Sequence, residues 1–147
     1  MTASDLESAG ATPVLLYDGA CGLCARSVQF MLAHESPTRR AALRFAALES
    51  AFGAGVRARH PEIAFVDSVL WYEPLSDDAS RVRVRSAAAL AMLAHLGGAW
   101  RVLAAIGACV PRPLRDAMYD AIARRRLNMV SRACLLPSSA DRHRFLR

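Results

Sequence analysis

Cys21 and Cys24 are spaced C-x-x-C, and Asp18-Gly19 comes just before them. Two sulfurs three residues apart can meet on one helical face and close a disulfide. If a helix begins at Cys21, its first turn offers unpaired N–H groups and a partial positive charge. A thiol placed there is stabilised as its thiolate, the reactive form. The chemistry to expect is a dithiol that cycles between reduced and oxidised states. Asp18 has two readings. It can be an acid–base group that passes protons to and from the thiols. It can equally be the residue that makes the Asp-Gly turn.

The flanking stretches have to hold this pair in place. Val14-Leu15-Leu16-Tyr17 is an apolar run of the kind that forms a buried strand. Asp18-Gly19 breaks it with a turn. After Cys21 an amphipathic pattern begins, with Cys24, Val28, Met31 and Leu32 on or near one face. The order is strand, tight turn, dithiol, helix. Zinc and a purely structural pair are the competing readings of Cys21 and Cys24. A closed zinc site takes four ligands, usually as two pairs. The chain has no second C-x-x-C and no His-x-x-x-His, so neither a metal nor a cofactor is expected.

The segment Asp18-Gly19-Ala20-Cys21-Gly22-Leu23-Cys24 resembles the signature of the DCC family of thiol–disulfide oxidoreductases, named for its Asp-Cys-Cys. The resemblance continues through Arg44-Phe45-Ala46-Ala47-Leu48 and Arg85-Ser86-Ala87-Ala88-Ala89-Leu90. It resumes at Pro111-Arg112-Pro113-Leu114-Arg115-Asp116-Ala117-Met118-Tyr119, then at Cys134, Pro137 and Arg144-Phe145-Leu146. It implies a thioredoxin-like fold and a redox role, and it names no substrate. Thioredoxin-like enzymes usually carry a cis-proline just before the third strand, facing the dithiol. The corresponding stretch here, Ile63 to Ser68, has no proline.

Composition bounds the rest. A chain of 147 residues is expected to form one domain. Its 54% hydrophobic content suffices for a sizeable core. Every basic residue is arginine. Residues 1–80 hold six arginines against ten acids, and residues 81–147 hold thirteen against three. Such a basic half can dock an acidic protein, an anionic surface or nucleic acid. No nucleic-acid motif accompanies the charge. Four cysteines do not make a disulfide scaffold. Cys109 and Cys134 sit among apolar neighbours and read as small buried hydrophobes. Cys134 is also a candidate third redox thiol.

In chain order, residues 1–12 read as a flexible leader without signal-peptide features. A single thioredoxin-like domain is expected over 13–147, its helical cap at about 99–147. Strands are expected at 13–17, 43–48, 65–72 and 81–85, in a four-stranded mixed sheet flanked by helices, with Val14–Tyr17 central and Arg81–Arg85 towards an edge. Helices are expected at 22–34, 49–59, 87–96, 99–108 and from Pro111 to about 126. Ser86 is expected to cap the third, 87–96, with Gly97 ending it. The last helix shows Leu114, Met118, Ala121 and Ile122 on an apolar face, while Arg115, Asp116 and Tyr119 share one turn. From Asn128 onward the tail reads as irregular.

These readings converge on a cytoplasmic thiol–disulfide oxidoreductase of the protein-disulfide reductase type, without a transmembrane segment. Its partners would be a protein or low-molecular-weight disulfide and a thiol electron donor. The alternative is a redox-sensing module that docks an acidic partner through the Arg-rich half.

Overall fold

In the computed structural model, which describes residues 12–66, 68–76, 79–127 and 138–147, a five-stranded mixed sheet is flanked by five α-helices. The first half is a β-α-β-α run: β1 (Val14–Tyr17), α1 (Gly22–His34), β2 (Arg44–Ala47) and α2 (Ala51–Arg59). A hairpin follows, β3 (Leu70–Pro74) and β4 (Ser80–Val84). Then come α3 (Arg85–Leu96), α4 (Gly98–Ala108), α5 (Arg112–Leu127) and finally β5 (Phe145–Leu146). The strand order is β4-β3-β1-β2-β5. β1 is parallel to β2 and antiparallel to β3, so it lies at the centre as its apolar sequence requires. β4 is an edge strand. Its Arg81 and Arg83 both approach the Glu73 carboxylate of β3.

Strand alternation divides the core into two faces. Leu15, Phe45 and Trp71 point to one side, against Val28 and Met31 of α1 and Ala88, Ala91 and Met92 of α3. Val14, Leu16, Ala46, Leu70 and Tyr72 point to the other, against Phe52 and Val56 of α2. α2 lies close to β2 because Gly53 has no Cβ. An added Cβ would meet the Ala47 and Leu48 carbonyl oxygens at 2.5 Å. Between α3 and α4, Gly97 takes φ of 72°, a left-handed conformation that suits glycine. The apolar run from Ala87 to Val110 is thereby split into two helices. Among the described residues no helix is long and apolar enough to cross a membrane.

Four expectations are corrected. The sheet has five strands, because the tail returns: Phe45 and Ala46 pair with Phe145 and Leu146 in parallel. The third strand starts at Leu70, not Phe65. Residues 61–66 instead wind into short turns, with Ala64 N–H bonded to the Pro61 carbonyl and Val66 N–H to that of Ile63. This leaves Phe65 96% exposed. Cys109 is exposed at the end of α4, its thiol donating to the Ala105 carbonyl at 3.5 Å. Last, Leu114, Met118 and Ile122 of α5 are exposed, and the helix is half-buried at Arg115, Asp116 and Tyr119. Polar groups won that face because they have partners on α3. The expected leader, apart from Thr12, and Cys134 lie outside the described residues.

Candidate functional site

The dithiol is positioned by three local features. β1 delivers the chain to the C-terminal end of the central strand. Asp18 then folds the turn: its Oδ1 accepts from the Ala20 N–H at 2.8 Å, and its carbonyl from the Cys21 N–H at 3.1 Å. α1 begins at Gly22 with Cys21 at its cap position in extended conformation. Cys21 Sγ thus stands at the positive end of α1, and no acidic residue lies in the helix's first turn. The turn role of Asp18 is realised, and its carboxylate remains close enough to act on Cys24 electrostatically.

The two thiols are unequal. Cys21 is partly exposed, and Cys24 is buried one helical turn further in. Burial pushes the Cys24 thiol up to about 12 from an ordinary 9.0. A backbone N–H from Asp18 opposes that shift. The hydrogen bond from Cys24 to the Cys21 sulfur and the charges of Cys21 and Asp18 add to it. Cys24 is therefore a thiol, not a thiolate, at neutral pH. Both cysteines are free.

A cavity of about 270 Å³ opens on the pair. Its walls come from distant parts of the chain: Phe65, Val66, Ser68 and Val69 of the loop before β3, Arg85 at the start of α3, and Tyr119, Asp120 and Ala123 of α5. The resemblance to thioredoxin-like enzymes sets the stretch Ile63–Ser68 against the dithiol, but nothing in the sequence places Val69, Arg85, Tyr119, Asp120 or Ala123 there. Burial, and behind it the charges of Cys24 and Cys21, pushes the Tyr119 hydroxyl above its ordinary value. For the α5 wall, the legible signal is that Arg115, Asp116 and Tyr119 share a helical turn and belong to a block shared with the family.

Ser86 shows how α5 is held over the dithiol. It is not the cap of α3. It lies inside the first turn, and its hydroxyl donates to Asp116 Oδ1 and accepts from Arg115 Nε at 3.0 Å. The bond from Ser86 holds the Asp116 carboxyl below its ordinary range, and Arg112 and Arg85 add to this. A carboxylate of α5 thus sits at the N-terminal end of α3, where it is favoured. Ser86 serves as a rivet between two helices.

The ionisation of Cys24 has a consequence for stability. Unfolded, the thiol releases its proton near pH 9; folded, it holds it to about 12. The native state then binds the extra proton, so stability falls as pH rises across that window and is fully present below it. Tyr17 and Tyr119 are also raised and act with the same sign. The reduced protein is expected to lose melting temperature between about pH 9 and 12, and Cys24→Ser to lose less over the same interval. Equal losses in the two proteins would remove Cys24 from the account.

No group of three or more His, Cys, Asp or Glu residues that could hold a metal stands together among the described residues. Residues 15–132 match the family described as DCC1-like thiol-disulfide oxidoreductase. The uncharacterized protein YuxK of Bacillus subtilis (strain 168) is 34% identical over 137 residues, covering 90% of this chain and 93% of YuxK. The chloroplastic DCC family protein At1g52590 of Arabidopsis thaliana is 29% identical over 122 residues, covering 82% of this chain and 66% of the plant protein. No solved structure matches.

Proposed function

The chain belongs to the DCC1-like thiol-disulfide oxidoreductase family, and from that premise we propose that it reduces disulfides by two-step exchange through Cys21 and Cys24. The observation that carries this reading is the asymmetry of the pair: a partly exposed sulfur at a helix N-terminus beside a buried one kept protonated. Cys21 thiolate attacks one sulfur of the substrate disulfide and expels the other half as thiolate. Cys24 then gives up its proton and attacks Cys21 Sγ. That closes the Cys21–Cys24 disulfide and expels the second thiolate. Two electrons have passed from the dithiol to the substrate. An external thiol donor returns them by the reverse exchange.

Asp18 is assigned the proton traffic of the second step. Its charge disfavours a Cys24 thiolate at rest, and its carboxylate can take the proton when Cys24 attacks. Tyr119 closes the opposite wall and limits water at the sulfurs. A protein-disulfide substrate fits the exposed Phe65 at the cavity rim, which offers apolar surface for docking. A reducing, cytoplasmic compartment suits a dithiol that must be returned to its reduced form.

The test is a redox titration of the protein in glutathione and dithiothreitol buffers of graded potential. Expected is one two-electron transition with mass-spectrometric evidence of a Cys21–Cys24 disulfide. A midpoint near about −270 mV marks a reductant and one near about −120 mV an oxidant. Absence of an intramolecular disulfide at every potential would overturn the proposal.

A further inference from the structure

Arg85 has a backbone conformation that its turn alone does not explain. β4 ends at Val84 and α3 starts at Arg85 with no loop between them. At this abrupt junction Arg85 takes a left-handed φ of 52°, and it is the only non-glycine residue with positive φ among those described. Glycine adopts that conformation without strain; an arginine pays for it. What arginine adds is a guanidinium at the wall of the dithiol cavity.

Beside it on the cavity wall stands Asp120, from α5. Arg85 Nη1 and Asp120 Oδ2 are 3.8 Å apart, with side chains 54% and 41% exposed. That separation is longer than a hydrogen bond. The guanidinium N–H groups find no hydrogen-bond acceptor among the described residues. Ser68 Oγ, of a residue that also lines the cavity, is buried without a partner among the described residues. The site therefore presents a cation and an anion in a loose ion pair with no hydrogen bond between them, near the Asp116 carboxylate and next to a free hydroxyl and two sulfurs.

We infer that Arg85 and Asp120 form a subsite for the α-amino-acid end of a low-molecular-weight aminothiol disulfide, Arg85 taking the carboxylate and Asp120 the ammonium. The inference rests on the disulfide-exchange reading above and names the substrate class for it. An α-amino acid carries both charges on one carbon, so it can bridge the loose pair and replace one weak contact by two charge-assisted hydrogen bonds. The size agrees. About 270 Å³ lies just below the range for whole drug-sized ligands, roughly 300–1,000 Å³. It holds one amino-acid half while the remainder of the disulfide stays outside. Asp18 adds a second negative charge near the sulfurs. An anion without an ammonium is therefore a poorer match than a zwitterion.

Four symmetric disulfides test this: L-cystine with both groups, dithiodipropionate with the carboxylate, cystamine with the ammonium, and hydroxyethyl disulfide with neither. The readout is the second-order rate constant for oxidation of the reduced protein, each expressed relative to hydroxyethyl disulfide. Wild type is expected to favour cystine. Arg85→Gln should lower the relative rates of cystine and dithiodipropionate by about tenfold, the size of one lost charge-assisted hydrogen bond. Asp120→Asn should lower those of cystine and cystamine. Because cystine has no net charge, its loss in Arg85→Gln reports contact rather than long-range attraction. Arg85→Gly supplies a second variant suited to the left-handed backbone. It should melt no lower than wild type and show the same selective loss. Unchanged ratios in these variants would overturn the subsite. Failure of wild type to react with any of the four would instead overturn the exchange reading.

Discussion

Cys21→Ser is expected to reduce disulfide turnover to the uncatalysed background, while Cys24→Ser accumulates a mixed disulfide. The two outcomes differ because the sulfurs do different work. Cys21 is the accessible one, at the cap of α1, so without it no attack on substrate begins. In Cys24→Ser that attack still occurs. The covalent adduct then persists, because a serine hydroxyl cannot displace a thiol from sulfur. Mass spectrometry of the protein after incubation with substrate disulfide would show one adduct per chain, on Cys21. Asp18→Asn in the same assay should leave adduct formation intact and slow its resolution, since the buried Cys24 thiol, with its ionisation near 12, needs a proton acceptor. Undiminished turnover in Cys24→Ser would overturn the two-cysteine cycle. Normal resolution in Asp18→Asn would reduce Asp18 to its turn.

Arg144→Ala is expected to cost about 3–5 kcal/mol of stability, the usual penalty for breaking a buried ion pair from one side. Arg144 Nη2 lies 2.8 Å from both carboxylate oxygens of Glu35, the residue that ends α1. Its Nε donates to the Leu43 carbonyl at 3.2 Å. The guanidinium also stacks over Phe45, 5.0 Å from the ring centre. Both side chains are almost fully removed from solvent. Removing Arg144 leaves a buried carboxylate whose remaining ion-pair partner among the described residues is His95 Nε2, at 3.6 Å. It also loosens β5, whose two residues rely on Phe145 stacking against Phe45 at 5.1 Å. Denaturant midpoints would measure the loss. The pair Glu35→Leu and Arg144→Met should cost less together than the sum of the single changes, since no charge is stranded. A loss below about 1 kcal/mol for Arg144→Ala would mean that the tail is held by its apolar contacts instead.

Much of what near neighbours carry is legible in the sequence, although the turns of residues 61–66 are not. The uniformly apolar Val14–Leu16 marked the central strand, because only a strand covered on both faces has no polar side. Asp18-Gly19 marked the turn. The C-x-x-C at a helix start marked the chemistry. In each case the residues that interact lie within a few positions of one another. Most of what surrounds the sulfurs is set by long-range packing. Ser86 looked like a helix cap, since serine before an alanine-rich run is the ordinary cap signal; Arg115 and Asp116, about thirty residues on, claimed its hydroxyl. Leu114, Met118 and Ile122 looked like a buried stripe, yet α5 turns its polar residues inward, because their partners lie on α3. Arg144 and Glu35 are 109 positions apart, so no local pattern could pair them. Tyr119, Asp120 and Arg85 reach the dithiol the same way. Periodicity states which side of an element is apolar. It does not state which distant polar group will satisfy the other side, and here that choice builds the walls of the candidate site.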